Sequence, residues 1–275
     1  MTSKGYKPIT LLTDFGQDDT FVGIMKGVIL GILPQASIVD LCHNLPRFDI
    51  AQAAFLIHIS YRYFPVRTVH LVVVDPGVGS QRRALLVTTD DFFFVAPDNG
   101  VLSYIFESGN LRRVFEITAR HYFLSAQSST FHGRDVFAPV AAYLCKGIEP
   151  EAFGPEIRDF VKIVIPSPRA LSSEALAGKI LHIDRFGNLI TNISVADLFR
   201  LRRGQANAPL TIRIGDQSIG GLRSFYGQGE RGKLEAVVGS SGYLEIFVNQ
   251  GNASLTAQKG RGDQVVVSLL SSQRR

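Results

Sequence analysis

The residues of this chain whose types and spacing point most directly to chemistry are an aspartate, an arginine and a histidine. Asp75 ends an apolar, β-branched run, and Arg82 follows it after a glycine-rich turn. His132 lies in a second polar stretch, just before a predicted helix. A buried strand that ends in an acid places its carboxylate at the edge of a sheet, where ligands of open α/β sheets bind. The three side chains therefore predict a polar active site, provided that the fold brings them together.

Each of the three residues also has a structural interpretation. Asp75 and Arg82 could form an ion pair that serves stability alone, as most such pairs do. His132 could be a satisfied polar residue at the start of a helix, with Gly133 needed only for backbone shape. At the level of the sequence both interpretations stay open.

The elements that must position these residues alternate between strands and helices in the first half of the chain. Strands are predicted over 9–12, 37–41 and 68–74, followed by a hairpin of two strands over 84–89 and 92–96. Helices are predicted over 21–33, 50–61, 100–107 and 136–145, with Asp135 as the cap of the last. This alternation is typical of an α/β layered domain.

The pattern changes after Gly147. A predicted strand over 163–165 runs into a linker rich in proline and serine, and short strands with turns follow. These strands are predicted over 178–184, 189–193, 210–214, 234–238, 243–248 and 263–270. Their spacing predicts a small β-barrel or sandwich, and hence a second domain. A cleft between two domains is a natural ligand site.

Composition narrows the classes of function. The 275 residues carry a net charge of +5, and their arginine pairs, up to Arg274–Arg275, are scattered rather than gathered into a basic stripe, which argues against nucleic acid. Cys42 and Cys145 match no zinc or redox signature, and the histidines lack metal-ligand spacing, so we expect buried thiols and no metal. The start of the sequence lacks an apolar leader and no run is long enough to span a bilayer, so we expect a cytoplasmic protein.

The Thr13–Gly16 stretch places a further acid, Asp14, at the end of the first strand. Its Asp-Phe-Gly sequence occurs in protein kinases, but the glycine-rich loop and the His-Arg-Asp loop of kinases are missing. Asp14 could cap the helix that starts near Thr20, or it could accept hydrogen bonds from a sugar diol. The Gly77–Gly79 turn is too short for a dinucleotide or phosphate fingerprint.

Polar turns in the second half suggest a ligand. The Ile183–Asn188 turn combines an acid, an aromatic ring and an amide, and the stretches 239–246 and 249–254 are polar and rich in glycine. Amide edges suit base nitrogens, an acid suits an ammonium, and hydroxyl and backbone donors suit a carboxylate. Together the turns indicate a zwitterionic or heterocyclic ligand.

The ordered series of motifs resembles the S-adenosylmethionine (SAM) hydrolases, also called SAM hydroxide adenosyltransferases, which are relatives of the fluorinating and chlorinating adenosyl-halide synthases. The resemblance spans nearly the whole chain. Its motifs are Thr13–Gly16, Val74–Gly79, Pro97–Gly100, Thr130–Asp135, Ile183–Asn188 and Tyr243–Asn249. It implies an N-terminal α/β domain over 7–168, a C-terminal β-barrel domain over 178–273, and a homotrimer that binds SAM between domains of neighbouring subunits.

The resemblance also implies a role for each candidate residue. Asp75, Arg82 and His132 would handle the attacking water. The residues that would contact SAM are Asp14 and Phe48 at the ribose, Asp184 and Ser240 at the methionine ammonium and carboxylate, and Phe186 and Asn188 at the adenine. Asp75 indicates the hydrolase branch, because the halogenases typically have a tyrosine there and a carboxylate would repel a halide. Gly133, also assigned to substrate binding, matches the chlorinating enzymes more than the fluorinating ones.

The expected reaction is hydrolysis of SAM to adenosine and L-methionine by attack of water at C5′. SAM is then the substrate, no cofactor is expected, and neither nucleic acid nor a membrane is a partner. Two alternatives stay open: an adenosyl-chloride synthase, and a non-catalytic protein that binds SAM or adenosine.

Overall fold

The computed structural model describes residues 7–205 and 208–270. The chain divides into two compact units, the first ending at Ile165 and the second beginning at Pro166. The first unit is mixed α/β and the second is a barrel-like sheet, which confirms the predicted fold class. The first six residues, the end of the predicted second domain (271–273) and the Arg274–Arg275 pair lie outside the described residues.

A seven-stranded sheet forms the centre of the first unit. Its strands are β1 (Ile9–Thr13), β2 (Ile38–Cys42), β3 (Val69–Val73), β4 (Ala84–Thr89), β5 (Phe93–Pro97), β6 (Leu111–Glu116) and β7 (Glu156–Ile157). They lie in the order β2-β1-β3-β5-β4-β6-β7. The pairs from β2 to β5 are parallel and the remaining pairs are antiparallel. The carboxyl ends of β1, β3 and β5 therefore meet at one edge of the sheet.

Strand β3 shows why the middle of this sheet needs an unbroken apolar run. All of its residues are buried. Leu71 and Val73 belong to the apolar cluster on one face of the sheet, whereas Val72 and Val74 belong to the cluster on the other face. Both faces of a parallel strand are usually covered by helices, so hydrophobic and polar residues do not alternate along it. The first polar position after this run is Asp75.

Helices cover the two faces of the sheet. Those described in the first unit are α1 (Phe21–Ile32), α2 (Ile50–Ser60), α3 (Ser103–Phe106) and α4 (Ala138–Cys145). Met25 of α1 and Val140 of α4 pack in one cluster, and Ile57 of α2 and Ile105 of α3 pack in the other. Across the ranges that the structure describes, no helix is both long enough and apolar enough to cross a bilayer.

Asp135 does not cap α4, and that prediction is wrong. Residues Gly133–Phe137 form a π-helical turn that leads directly into α4. The carboxylate of Asp135 is fully buried, accepts a hydrogen bond from the Ser128 amide at 2.7 Å and pairs with Arg134. Asp135 therefore stabilises the loop that precedes His132 and does not satisfy the amides at the start of a helix.

The second unit is an eight-stranded antiparallel sheet that curves into a nearly closed barrel. Its strands are β8 (Arg169–Ser172), β9 (Ala175–Ile183), β10 (Leu189–Ser194), β11 (Leu210–Ile214), β12 (Gln217–Gly220), β13 (Leu234–Val238), β14 (Tyr243–Val248) and β15 (Gln264–Leu269). The order is β12-β11-β15-β9-β10-β14-β13, with β8 paired to β9. A bridge between Arg223 and Val237 links the two ends of this order. Every second residue of β11 is buried, as expected for a strand with one face on a core.

The predicted strand over 163–165 is absent. The backbone amides of Val161 and Ile163 donate to the side chains of Asp98 and Ser103, at 2.8 and 2.9 Å, instead of to a neighbouring strand. Val164 is 91% exposed. The β-branched run therefore follows the surface of the first unit and is held by side-chain acceptors.

Several short elements lie outside the predicted ones. They are the strands β6, β7, β8 and β12 and the helices α5 (Val195–Leu201) and α6 (Ala253–Ala257). Helix α5 has a sequence signal, because Ser194 and Asp197 form a capping box at its start. The strand-rich surroundings favoured the all-β interpretation of this region.

His70 is a buried titratable group in the core of the first unit. Its Nδ1 lies 2.8 Å from Thr10 Oγ1, its Nε2 has no hydrogen-bond partner among the described residues, and its ring stacks on Phe94. Burial lowers the pKa of His70 to about 3. The unfolded chain, in which histidine has a pKa of about 6.5, therefore binds this proton first as the pH falls.

We expect His70 alone to lower the free energy of unfolding by about 2 kcal/mol between pH 7 and pH 5. The double variant Thr10→Val/His70→Phe removes the ring together with its partner, so denaturant unfolding at the two pH values should show that much less dependence on pH. His121→Asn, at an exposed site, is the control and should keep the full dependence. An unchanged dependence in the double variant would contradict a neutral, buried His70.

Candidate active site

Asp75 and Arg82 form a bidentate ion pair at the carboxyl end of β3. Arg82 Nε donates to Asp75 Oδ1 at 2.8 Å, and Arg82 Nη2 donates to Asp75 Oδ2. The two side chains are only 5% and 10% exposed, respectively. The fork of the guanidinium fixes both carboxylate oxygens, so the orientation of Asp75 is set as well as its charge. Arg83, the neighbouring arginine, pairs instead with Asp98 and Asp159.

The turn between Asp75 and Arg82 is shaped by two short contacts. Ser80 Oγ donates to the Gly77 carbonyl at 2.7 Å and accepts from the Arg82 amide at 3.2 Å. Gly79 has φ +78°, and a Cβ there would lie 2.1 Å from the Ser129 carbonyl oxygen. A side chain at Gly79 is thus excluded both by the backbone conformation and by the loop that leads to His132.

His132 completes the cluster from a loop fifty residues further along the chain. Arg82 Nη2 lies 2.9 Å from His132 Nδ1. A guanidinium can only donate, so Nδ1 accepts and the ring proton lies on Nε2. Burial lowers the pKa of His132, and the charge of Arg82 lowers it further, whereas Asp75 and Asp135 oppose the shift. His132 is therefore neutral at pH 7 and can donate a hydrogen bond through Nε2.

We expect ¹⁵N–¹H NMR of the imidazole to show this tautomer. His132 should have its proton on Nε2 at neutral pH and should titrate below the ordinary histidine pKa of about 6.5. Arg82→Met removes both the donor and the positive charge, so the midpoint of His132 should rise in this variant. A midpoint above the ordinary value in the unmodified protein would contradict the arrangement.

An apolar cavity of about 150 Å³ lies beside the cluster. Its walls include three aromatic rings, of Phe15, Phe21 and Phe131, whose centroids lie 5.2 to 5.9 Å apart. Asp75 and His132 also line it. The carboxylate and the imidazole therefore border a space that is otherwise mostly apolar.

Gly133 lies in the same wall of the cavity and allows its neighbours to pack closely. A Cβ at this position would approach Met25 Sδ and the Phe131 ring to 3.2 Å. A larger residue would have to displace the sulfur or the ring. The glycine predicted at the site therefore limits how α1 and the His132 loop pack beside the cavity.

Asp14 lies at the end of β1, next to β3 in the sheet. Its Oδ2 accepts a hydrogen bond from the Phe48 amide at 2.8 Å. Phe48 itself has φ +65° and is 65% exposed. The alternative that Asp14 caps α1 is wrong, because α1 begins after Thr20 without a side-chain cap. Two of the predicted ribose contacts are thus joined directly to each other.

The turn that carries Asp14 is anchored by His43. The Gly16 amide donates to the His43 carbonyl at 2.8 Å, and the Thr13 hydroxyl lies 2.8 Å from His43 Nδ1. Asp40 Oδ1 lies 3.0 Å from the other ring nitrogen of His43. This network lies under the turn, and no pattern in the sequence indicates a role for it.

In the second unit Asp184 organises its own turn. Its Oδ1 accepts from the amides of Phe186 and Asn188, both at 2.9 Å, and its Oδ2 accepts from Asn188 Nδ2 at 2.9 Å. Phe186 is 74% exposed, whereas Asn188 is 7% exposed. The structure thus brings together these three predicted residues and presents an aromatic ring on the surface.

Glu245 is a buried acid of the second unit to which the sequence assigned no role. Tyr226 Oη donates to Glu245 Oε2 at 2.7 Å. Burial raises the pKa of Glu245, the nearby charge of Asp184 raises it further, and the bond from Tyr226 opposes both. A Cβ on Gly239 would collide with the carboxylate, so the turn that carries Ser240 lies directly against Glu245. Glu245 therefore lies against the Ser240 turn and within range of the charge of Asp184.

Each unit thus assembles its own set of predicted residues. In the first unit these are Asp14 with Phe48, and Asp75 with Arg82, His132 and Gly133; in the second they are Asp184, Phe186, Asn188 and Ser240. The aromatic wall was missed, although Phe15 and Phe131 stand inside the shared motifs, because their spacing in the chain gives no sign that the rings meet. Within the described ranges, no group of three or more histidine, cysteine or acidic side chains could hold a metal ion.

Comparison with known proteins identifies the family. Family models for the N-terminal and C-terminal domains of SAM hydroxide adenosyltransferase match residues 9–154 and 178–266. The chain belongs to the SAM hydroxide adenosyltransferase family. The resemblance inferred from the motifs is therefore confirmed.

Relatives of this SAM hydroxide adenosyltransferase family member include hydrolases and halogenases. A protein named (R)-S-adenosyl-L-methionine hydrolase from Thermus thermophilus is 36% identical over 254 residues, covering 90% of this chain and 94% of the relative. One of the same name from Methanocaldococcus jannaschii is 34% identical and covers 90% of each chain. A protein named fluorinase from Nocardia brasiliensis is 25% identical, covering 98% of this chain and 99% of the relative.

Solved structures also match over nearly full length. The crystal structure of an uncharacterized conserved protein from Thermotoga maritima has a TM-score of 0.89 and 35% identity, covering 94% of this chain and 99% of that one. The crystal structure of a conserved hypothetical protein from Thermus thermophilus has a TM-score of 0.73 and 34% identity, covering 96% and 100%. The fold of this family member is thus shared with proteins whose descriptions state no function.

Proposed function

We propose that this protein is an S-adenosyl-L-methionine hydrolase, which cleaves SAM to adenosine and L-methionine by attack of water on C5′. The observation that carries the proposal is the Asp75 carboxylate, fixed by Arg82 beside His132 and facing an apolar cavity. Four curated relatives, 32 to 36% identical over at least 90% of this chain, are named (R)-S-adenosyl-L-methionine hydrolase and support the same activity.

The reaction is a displacement at carbon. The bond from the water oxygen to C5′ forms as the C5′–S bond breaks, and its electron pair stays on sulfur, which becomes a neutral thioether. The proton of the water passes to the Asp75 carboxylate and then to solvent. Because the leaving group is neutral, no acid has to protonate it, and catalysis depends on aligning the water opposite the sulfur.

The cluster meets this demand with three different contributions. Asp75 accepts a hydrogen bond from the water and takes its proton, an effect typically worth about 10²–10⁴-fold. Arg82 holds both oxygens of that carboxylate in place. His132 donates through Nε2 to a lone pair of the same water, which leaves another lone pair for C5′. The apolar wall keeps other water away from the sulfonium, since a dry surrounding favours the loss of separated charge.

The remaining candidate residues are assigned to parts of SAM. Asp14 and Phe48 contact the ribose, Asp184 and Ser240 the methionine ammonium and carboxylate, Phe186 and Asn188 the adenine, and Gly133 lies in the wall beside C5′. Supporting observations are that Asp14 stands at the same sheet edge as Asp75 and that Phe186 offers an exposed ring for stacking. We further propose a homotrimer with SAM held at subunit interfaces, and that the (R) epimer at sulfur is the preferred form. The cytoplasmic location stays a prediction from the sequence.

The second candidate is an adenosyl-chloride synthase. It is favoured by the fluorinase relatives and by Gly133, which matches the chlorinating enzymes more than the fluorinating ones. Asp75 argues against it, because a carboxylate lining the same cavity repels a halide. We therefore place this activity second.

The deciding experiment incubates the purified protein with resolved (R)- and (S)-SAM in chloride-free buffer made with ¹⁸O-labelled water, and analyses the products by mass spectrometry. Labelled adenosine with methionine, formed faster from the (R) epimer, is the expected result. Product that requires chloride and contains 5′-chloroadenosine would assign the protein to the second candidate. SAM that binds without conversion in either buffer would overturn both enzymatic proposals and favour a binding protein.

A further inference from the structure

The Pro97–Gly100 turn contributes no group to the proposed reaction, yet it lies against the cluster. Strand β5 pairs in parallel with β3, so the turn that follows β5 emerges beside the residues that follow β3. Asp98 is 6% exposed, which is unusual for an acid. The contacts of this turn run to Val74 and Arg83, the chain neighbours of Asp75 and Arg82.

Asn99 holds the backbone next to Asp75. Its Nδ2 donates to the carbonyl of Val74 at 2.9 Å, and its Oδ1 accepts from the Val101 amide at 3.2 Å. The Val74 carbonyl belongs to the peptide unit that joins Val74 to Asp75. A hydrogen bond to this oxygen therefore fixes the plane from which the Asp75 side chain extends.

Asp98 holds Arg83, the residue next to Arg82. Its amide donates to the Arg83 carbonyl at 2.9 Å, and the same carbonyl accepts from Arg82 Nη1 at 3.3 Å. Its carboxylate accepts from Arg83 Nε at 2.9 Å. Because Arg83 is fixed by both its backbone and its side chain, the carbonyl that Arg82 contacts has one position.

A surface segment closes over the turn. The free oxygen of Asp98 accepts from the Val161 amide at 2.8 Å, and Arg83 reaches Asp159 at 2.9 Å. Gly100 has φ +90°, and a Cβ there would lie 2.7 Å from a methyl group of Ile163. The turn is therefore held between the sheet and residues 159–163, which limits its freedom to move away from the cluster.

We propose that Asn99 and Asp98 are positioning residues for catalysis: one turn sets the orientation of both Asp75 and Arg82 without touching substrate. This inference rests on the proposed function for its activity readout. Its physical basis is that a displacement of about 1 Å in a catalytic group can cost as much as 10²-fold in rate.

The test is Asn99→Asp, which keeps the size of the side chain but replaces the donor to Val74 with an oxygen. We expect kcat for SAM cleavage to fall by about 10- to 100-fold, with KM nearly unchanged, since the turn does not contact substrate. Asp98→Asn keeps the backbone hydrogen bond to the Arg83 carbonyl but leaves only one oxygen to accept from the Arg83 side chain and the Val161 amide, and it should give a smaller fall in kcat. It serves as the second variant if Asn99→Asp does not fold.

Asn192→Asp is the matched control. Asn192 is 5% exposed, donates through Nδ2 to the Pro166 carbonyl at 2.9 Å and accepts from the Lys179 amide at 2.7 Å, so it bridges two backbone segments of the second unit in the same way. It should lose comparable thermal stability and keep its kcat. Equal losses of kcat in Asn99→Asp and Asn192→Asp, or an unchanged kcat in Asn99→Asp, would overturn the proposal.

A readout without turnover separates this inference from the proposed function. The ¹⁵N chemical shifts of the His132 imidazole report its contact with Arg82. We expect these chemical shifts to change in Asn99→Asp and to be unchanged in Asn192→Asp. If the unmodified protein does not cleave SAM, the proposed function fails and these shifts alone decide the positioning. Unmoved shifts in a folded Asn99→Asp would reject it.

Discussion

Replacing Asp75 with asparagine is expected to lower kcat for SAM cleavage by about 10²–10⁴-fold while SAM remains bound. Asparagine has the same size and keeps one of the two oxygens that accept from Arg82, so the shape of the pocket changes little. It cannot take a proton from water at neutral pH, and it leaves the positive charge of Arg82 without its counter-charge. The measurements are single-turnover formation of ¹⁸O-labelled adenosine and the Kd for SAM by calorimetry.

The control for this variant is Asp90→Asn, the same substitution in an exposed ion pair with Arg112. It should leave both kcat and the Kd unchanged. Undiminished turnover in Asp75→Asn would show that the carboxylate is not the base. Loss of SAM binding in a folded Asp75→Asn protein would move this residue from the chemistry to recognition.

The position of Asp75 could be predicted because local and tertiary signals agree there. The β-branched run predicts a strand with both faces buried, and a polar residue directly after such a run has to emerge at the sheet edge. In the structure the turn directs Arg82 toward Asp75, while Arg83 reaches Asp98. Seven residues are enough for the chain to return on itself, so this pair is a nearly local feature.

The rest of the cluster depends on contacts that have no local signature. His132 reaches Arg82 across fifty residues, and the charge of Asp184, which follows β9, raises the pKa of Glu245 on β14. Neither pairing follows from hydrophobic periodicity or secondary-structure propensity, because both depend on which strands become neighbours in the sheets. The motifs located these residues, but the partner of each one is a property of the fold.

The errors in the predicted elements have a common origin in side chains that replace backbone partners. The run over 163–165 has strand-like residues, yet the amides of Val161 and Ile163 are taken by Asp98 and Ser103. Asp135 stands where a helix cap belongs, yet it is used by the preceding loop. In these places a side-chain acceptor takes a backbone amide that a neighbouring strand or a helix cap would otherwise bind. The sequence pattern indicates only the secondary-structure propensity of the segment itself.

Replacing Arg82 with methionine is expected to remove activity and to lower the free energy of unfolding by about 3–5 kcal/mol. Methionine fills much of the same volume and keeps an apolar contact with the Phe137 ring, over which the guanidinium lies at 5.0 Å. It cannot neutralise Asp75, whose side chain is 5% exposed, and breaking a buried pair from one side leaves an uncompensated charge. Denaturant unfolding at pH 7 measures the loss.

A double-mutant cycle shows whether this cost belongs to the pair. Asp75→Asn/Arg82→Met has no charge left to bury, so we expect it to be more stable than Arg82→Met alone, although equally inactive. Arg112→Met is the matched control, because that arginine pairs with Asp90 while its own side chain is 66% exposed; it should cost no more than about 1 kcal/mol. Strictly additive losses in the cycle would mean that Arg82 stabilises the fold through contacts that methionine lacks other than the one with the carboxylate, such as its cation–π contact with Phe137 or its bond to the Arg83 carbonyl. Since the same guanidinium also donates to His132, the stability of this edge of the sheet and the alignment of the water would then have separate origins.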